Sequence, residues 1–250
     1  MERNPANKVV VITGGAQGIG YSIADKFLGK GARVVILVDI DEKQGPASVE
    51  TLNSKYGVNK AEFYKCDVTS DLEVVANKIF SKYSNVDVLV NNAGILNEYK
   101  LKQTVAINVT ALMEWSFRFF EQMRKDKGGK GGTMINLASI YGFRVDPFLP
   151  IYQASKFAVM GFTKSFGHSY RYQKYGVRSV AVCPGFTETM LTTNVKMNDD
   201  PSVQEGFDDM LKTTPWQQVE AVSNAVVEVF EKVDSGTAWL IEGSKPITQV

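Results

Sequence analysis

Short apolar runs alternate with helical stretches along the whole chain, and that alternation leaves few folds open. Lys8–Thr13, Arg33–Val38, Ala61–Tyr64, Val86–Val90, Thr133–Leu137, Val177–Val182 and Ala238–Ile241 read as strands. Several are continuously apolar, as in Val34-Val35-Ile36-Leu37-Val38, which marks strands covered on both faces. Gly18–Lys30, Asp41–Tyr56, Ser70–Tyr83, Lys100–Lys125, Tyr152–Lys174 and Trp216–Val233 have helical length and spacing. Ser70-x-x-Glu73 offers a capping box at the start of one of them. Strand then helix, repeated, is the pattern of right-handed βαβ units and a parallel α/β sheet.

No repeat, low-complexity tract or linker interrupts the rhythm, so residues 1–250 read as one domain. Thr187–Pro215 alone breaks it, being polar with irregularly spaced apolar residues, and reads as a lid or binding loop. Lys plus Arg (28) nearly balance Asp plus Glu (27). That balance argues against nucleic-acid or membrane-surface partners recruited by bulk charge. No run reaches the ~18 apolar residues of a membrane span. The first residues lack the apolar core of a signal peptide, so the expected location is cytoplasmic. Cys66 and Cys183 each end an apolar run and read as buried free thiols. With His168 as the sole histidine, neither a zinc site nor a Ser–His–Asp triad has its ligands or base, and no metal is expected.

The first apolar run leads into Thr13-Gly14-Gly15-Ala16-Gln17-Gly18-Ile19-Gly20 and then a helix. A strand, a glycine-rich turn and a helix N-terminus form a phosphate cradle: the backbone comes close and the free N–H groups face the anion. Asp39 ends the second strand about 20 residues later, where an acidic side chain binds ribose hydroxyls and repels a 2′-phosphate. Asp41, two residues on, is placed for the same role. Gln17 is neutral and offers no cation to that phosphate, so NAD is the expected cofactor rather than NADP. Two more strand ends join this set. Asp67 and Val68 follow the third strand, and Asn91, Ala93 and Gly94 follow the fourth. Ile19, Gly20 and Ile40 complete the expected nucleotide contacts.

Tyr152 and Lys156 lie four apart on a helix and share a face. A free tyrosine ionises near pH ~10. A neighbouring ammonium and a cationic nicotinamide favour its phenolate, which can then take a proton from an alcohol. Ser139, at the end of the fifth strand, can hold the substrate oxygen, and Asn108 can anchor a water that relays protons to Lys156. Pro184, Gly185, Phe186 and Thr187 end the sixth strand, where Thr187 can fix the nicotinamide carboxamide. Tyr141, Leu149, Phe186 and Met190 are the expected substrate contacts beside Ser139 and Tyr152. An apolar set of this kind suits a lipid-like secondary alcohol or the matching ketone. Asn108-Val109-Thr110 also matches a glycosylation sequon, a coincidence at a residue with a catalytic part.

The glycine turn, Asp67, Asn91-Asn92-Ala93-Gly94, Asn108, Ser139, Tyr152-x-x-x-Lys156 and Pro184-Gly185-x-Thr187 come in an order and spacing that closely resemble the short-chain dehydrogenase/reductase family. The resemblance covers roughly residues 7–190. It implies a doubly wound Rossmann fold with a seven-stranded parallel sheet. Residues 7–95 would mainly bind cofactor, 100–190 carry catalysis and 187–215 form the substrate lid. It implies an Asn108, Ser139, Tyr152 and Lys156 tetrad. It also implies a homodimer paired through Lys100–Lys125 and Tyr152–Lys174. Within the family, Asn91–Glu98, Gly161–Ser165 and Val182–Phe186 look most like NAD-dependent 15-hydroxyprostaglandin dehydrogenases. Gly236-Thr237-Ala238-Trp239 looks like insect alcohol dehydrogenases. Leu149 departs from the prostaglandin enzymes, which carry a polar glutamine there. Two other readings stand beside the NAD-dependent alcohol dehydrogenase. One is an NADPH-linked carbonyl reductase, which Asp39 and Gln17 disfavour. The other is a non-catalytic dinucleotide sensor or scaffold, which the intact tetrad disfavours.

Overall fold

The protein is described by a computed structural model covering residues 3–193, 195 and 201–250. The strands are β1 (Val9–Thr13), β2 (Val34–Asp39), β3 (Ala61–Lys65), β4 (Val88–Asn91), β5 (Gly132–Leu137), β6 (Val177–Pro184), β7 (Ala238–Ile241) and β8 (Thr248–Gln249). They form one sheet in the order β3-β2-β1-β4-β5-β6-β7-β8. Every pairing is parallel except the last, in which Trp239 faces Gln249 across an antiparallel step. The seven expected strands are all present. The sheet gains an eighth because a short hairpin folds the polar C-terminus back onto β7, and two exposed polar residues carry no apolar run to announce it.

The continuous apolar runs are covered on both faces. On one face α1 (Gly18–Gly29) and α9 (Val219–Lys232) pack Ile23, Phe27, Val226 and Phe230 against Val10, Ile12 and Val180. On the other face α3 (Leu72–Lys82) and α5 (Leu112–Met123) pack Ile79, Trp115 and Phe119 against Val11, Ile36 and Leu89. The helices α2 (Gln44–Tyr56), α4 (Leu101–Val105), α6 (Pro150–Phe166), α7 (Ser169–Tyr175) and α8 (Pro201–Thr213) complete the described set. Arg178, on β6, is 1% exposed and pairs with no carboxylate among the described residues. Its guanidinium donates instead to the carbonyls of Val229, Phe230 and Val233 at the C-terminus of α9. There the helix dipole supplies the negative charge.

Several helix boundaries differ from the sequence pattern for local reasons. Asp41 stays outside α2 because its carboxylate accepts the backbone N–H groups of Lys43 and Gln44. The capping box is not formed. Asp71 takes the N-cap position of α3, Ser70 donates to the Asp71 carboxylate, and Glu73 pairs with Arg118. The stretch 152–174 divides at Gly167, and His168 starts α7 by accepting the Tyr170 N–H on Nδ1. The stretch 100–125 runs from α4 through a π-helical turn at Ala106–Ala111 into α5. Thr187–Pro215 is less irregular than its sequence suggests, since it contains α8. Only Phe207 of that helix is fully buried, and its polar remainder hides the helical period. Residues 194 and 196–200 of the expected lid lie outside the described residues.

Candidate active site

The strand order reverses between β1 and β4, which run side by side with Thr13 opposite Asn91. A reversal of this kind opens a crevice at the carboxyl ends of the strands. Here the crevice is a cavity of about 480 Å³. Its floor is the glycine turn. Gly14 sits at φ +63°, and a Cβ there would lie 2.9 Å from the Ala93 Cα. Gly14, Gln17, Gly18 and Ile19 line the cavity. The N-cap of α1, Gln17, makes no side-chain cap, so the first N–H groups of the helix remain available to an anion. Gly20 is absent from the cavity wall. A Cβ on it would collide with the Gly14 carbonyl oxygen, so this glycine lets the helix pack onto its own turn.

Asp39 and Ile40 line the cavity at the end of β2, and Asp67 and Val68 at the end of β3. The Asp39 carboxylate is aimed by two backbone donors, the N–H groups of Ala16 at 2.9 Å and Asp41 at 3.1 Å. Ile40 presents an apolar surface that is 62% exposed beside it. At the end of β4, Ala93 and Gly94 line the cavity, while Asn91 does not. Asn91 points into the interior instead, where its Nδ2 donates to Ser116 and Asn136. Alternation along a strand explains the swap, since consecutive side chains face opposite sides. The neighbour, Asn92, is the residue at the cavity. Its Nδ2 donates to the carbonyls of Thr13 and Gly14, and the N–H groups of Asn92 and Ala93 donate to the Thr13 hydroxyl. Asn92 thus staples the glycine turn to β4.

Side chains build the other half of the cavity. Ser139 follows β5 and is held by the Tyr141 N–H at 3.2 Å. Tyr152 and Lys156, on successive turns of α6, face it at 8% and 6% exposure. The Lys156 Nζ donates to the Leu137 carbonyl at 2.7 Å and lies 5.5 Å from the centre of the Tyr152 ring. Asn108 sits in the π-helical turn, 1% exposed and behind the cavity wall. It exchanges two hydrogen bonds with the backbone of Ile95 and donates a third to Ser155. Pro184, Gly185, Phe186 and Thr187 line the cavity after β6. Thr187 donates to the Gly185 carbonyl and accepts from Gln217, which also donates to the Ile241 carbonyl.

Among the expected substrate contacts, Tyr141 and Phe186 stand in the wall and Met190 at its rim, 75% exposed. Leu149 is not in the wall. It is fully buried at the N-cap of α6, packed in a cluster with Tyr141, Tyr152, Phe186 and Phe207. Its position in sequence beside Tyr152 does not bring it to the cavity, because the helix start turns it inward.

The electrostatics of the pair also differ from the sequence reading. Burial pushes the Tyr152 phenol up to about 12, opposed by its hydrogen bond with Ser139. Burial pulls Lys156 down to about 8. Desolvation therefore dominates both groups, and the lysine is not what sets the tyrosine in the free protein. Sequence reasoning missed Asn92, Gln217 and Glu98, which act on the site through backbone. The doubled asparagine at a strand end is the signal that points to Asn92.

The geometry can be set beside known proteins. The sequence profile described as "short chain dehydrogenase" matches residues 8–200. A 15-hydroxyprostaglandin dehydrogenase [NAD(+)] of Macaca fascicularis is 31% identical over 230 residues, covering 90% of this chain and 86% of the relative. Alcohol dehydrogenase 1 of Ceratitis cosyra is 32% identical over 238 residues, covering 94% of this chain and 91% of the relative. The crystal structure of levodione reductase superposes with a TM-score of 0.82 at 24% identity, over 95% of this chain and 97% of that one, which shows the shared fold. Family profile, relatives and the crevice at the sheet reversal agree: the chain belongs to the short-chain dehydrogenase family and is an oxidoreductase built for a nicotinamide cofactor.

Proposed function

We propose that the protein is an NAD-dependent dehydrogenase that interconverts apolar secondary alcohols and their ketones. The observation that carries this reading is the convergence of Ser139, Tyr152 and Lys156 on one cavity whose opposite end is the glycine turn and Asp39. The residues fit a dinucleotide. The α1 N-terminus is uncapped, Gly14 leaves no room for a side chain, and Asp39 places a carboxylate where a 2′-phosphate would be repelled. The relatives named for NAD and for alcohols support the same choice. Tyr141, Phe186, Leu96, Ile140 and Leu191 give the reaction end an apolar wall, which suits an apolar substrate.

A bound nicotinamide dinucleotide supplies hydride exchange and, when oxidised, a positive charge. The chain's own groups handle the proton and the substrate oxygen. Ser139 donates a hydrogen bond to that oxygen. Tyr152 accepts the hydroxyl proton of an alcohol or returns it to a ketone. Lys156, braced on the Leu137 carbonyl, lies against the Tyr152 ring and offsets its negative charge when it ionises. Asn108 fixes the 94–95 wall through its bonds to Ile95 and reaches α6 through Ser155. With its phenol held up near 12 by burial, Tyr152 is ready to donate. Alcohol oxidation should therefore accelerate with rising pH, and ketone reduction should slow.

The reading is tested by following NAD⁺ reduction at about 340 nm with a panel of secondary alcohols, and the reverse reaction with their ketones. No turnover with any member, under either cofactor, would end it. A homodimer is part of the proposal. Leu101, Val105, Phe117 and Phe157 leave apolar side chains exposed on α4, α5 and α6, a surface that pairing would cover. Light scattering on a sizing column should give twice the 27.6 kDa chain mass, and the single mass would refute pairing. A cytoplasmic location is also proposed, since both cysteines are free and buried.

A further inference from the structure

Glu98 is 2% exposed, and no lysine, arginine or histidine among the described residues forms an ion pair with it. A buried carboxylate without a partner is costly, so its place needs a cause. The cause is the start of α6. That helix begins at Pro150 with Leu149 at the N-cap, a side chain with no hydrogen-bonding atom. The N–H groups of Ile151 and Tyr152 would therefore be orphans in the interior. Glu98 receives both. Its Oε2 accepts from Ile151 at 3.0 Å and its Oε1 from Tyr152 at 2.9 Å. The positive end of the helix supplies the counter-charge.

A serine, threonine or aspartate at 149 could have capped the helix locally. The chain instead brings a carboxylate from 53 and 54 residues away. It comes from the same loop, after β4, whose residues 92–96 line the cofactor cavity. One side chain thereby ties the cofactor loop to the backbone of Tyr152. We propose that Glu98 is a positioning residue that couples occupancy of the cofactor loop to the placement of Tyr152, in addition to capping α6. This rests on the hydride-transfer reading for its kinetic consequence, but the coupling itself concerns only the loop and the helix.

The test compares wild type, Glu98→Gln and Glu98→Ala. Glu98→Gln keeps the shape but replaces one acceptor with an NH₂ group, so it should fold where the alanine variant fails. NADH affinity is measured by fluorescence titration, kcat and KM by steady-state assay, and exchange of the 149–156 amides by mass spectrometry with and without NADH. NADH should slow exchange at 149–156 in wild type and do so less in Glu98→Gln. The kcat of Glu98→Gln should fall about 10- to 100-fold, the scale of a small misplacement of a reacting group. NADH affinity should stay within a few-fold. A cap with no coupling would lower the melting temperature while leaving kcat and the NADH-dependent protection at wild-type values, and that result overturns the inference. If wild type itself turns over no alcohol, the hydride-transfer reading fails, and the exchange data still decide the coupling.

Discussion

The two ends of the cavity are made of different material. At the nucleotide end the floor is backbone: Gly14 and Gly18, the Ala93 backbone, and an Asn92 side chain whose work is to hold that backbone in place, with Asp39, Ile40, Asp67 and Val68 beside it. At the reaction end the wall is largely side chain, drawn from the segments after β5 and β6 and from α6. A backbone wall tolerates almost no change, since a Cβ in the wrong place cannot rotate away. A side-chain wall can be refilled with other shapes at modest cost.

Substitutions should separate the two ends. The largest effect belongs to Tyr152→Phe, which removes the proton-transfer group and leaves the nucleotide end intact. Its kcat should fall by about 10²- to 10⁴-fold while NADH affinity changes little. A wild-type-like rate would remove Tyr152 from the chemistry. Lys156→Met tests the cost of the same site to the fold. Below about 8 Lys156 is charged both folded and unfolded, and the folded state bears the full cost of a buried ammonium. Between about 8 and its ordinary 10.5 the unfolded chain binds more protons than the folded one, so wild-type stability rises with pH through that window. The methionine variant should therefore be more stable at neutral pH, by up to about 3 kcal/mol, with the gap closing toward pH ~10.5. Denaturant titrations across that range check the sign, and a gap that widens would contradict it.

At the nucleotide end, Gly20→Ala should destabilise the fold by about 1–3 kcal/mol and weaken NADH binding, because its Cβ meets backbone that cannot move aside. Melting curves with and without NADH read both effects together. Asp39→Ala should cost about 1–2 kcal/mol of stability, because the Ala16 and Asp41 N–H groups lose their acceptor, and should weaken NAD about tenfold and relax the rejection of NADP. Equal affinity of the wild type for both cofactors would defeat that assignment. The smallest kinetic effect belongs to Leu149→Gln. Because Leu149 is buried away from the cavity, it should cost about 1–3 kcal/mol of stability while KM for a given alcohol stays within a few-fold. A change of substrate preference without loss of stability would place Leu149 in the pocket after all.

The same division governs what could be read from the sequence. Backbone demands leave glycines and strand-end polar residues at fixed spacing, so the glycine turn, Asp39, Asp67 and the Tyr152–Lys156 pair were legible with their strands and helices. Asn91 was misplaced by one residue because strand alternation, not proximity in sequence, decides which of two asparagines faces the crevice. Leu149 was misplaced because an N-cap residue can turn either way, and the choice depends on Phe207 from a segment of α8 remote in sequence. Burial of Tyr152 and Lys156 was equally invisible, since desolvation is the product of many distant side chains. Glu98 and Gln217 carried no local signal because their partners lie in other segments of the chain.

Arg178 has a consequence for the order in which the protein is made. Its guanidinium leaves the ribosome 51 residues ahead of the first α9 carbonyl that receives it, Val229. At translation rates of about 5–20 residues per second, β6 waits some 3 to 10 seconds with a cation that has no interior home. The apolar side of α1 waits about four times as long for Val226 and Phe230. One face of the sheet therefore has its cover only once α9 has been synthesised, long after the strands of the nucleotide end.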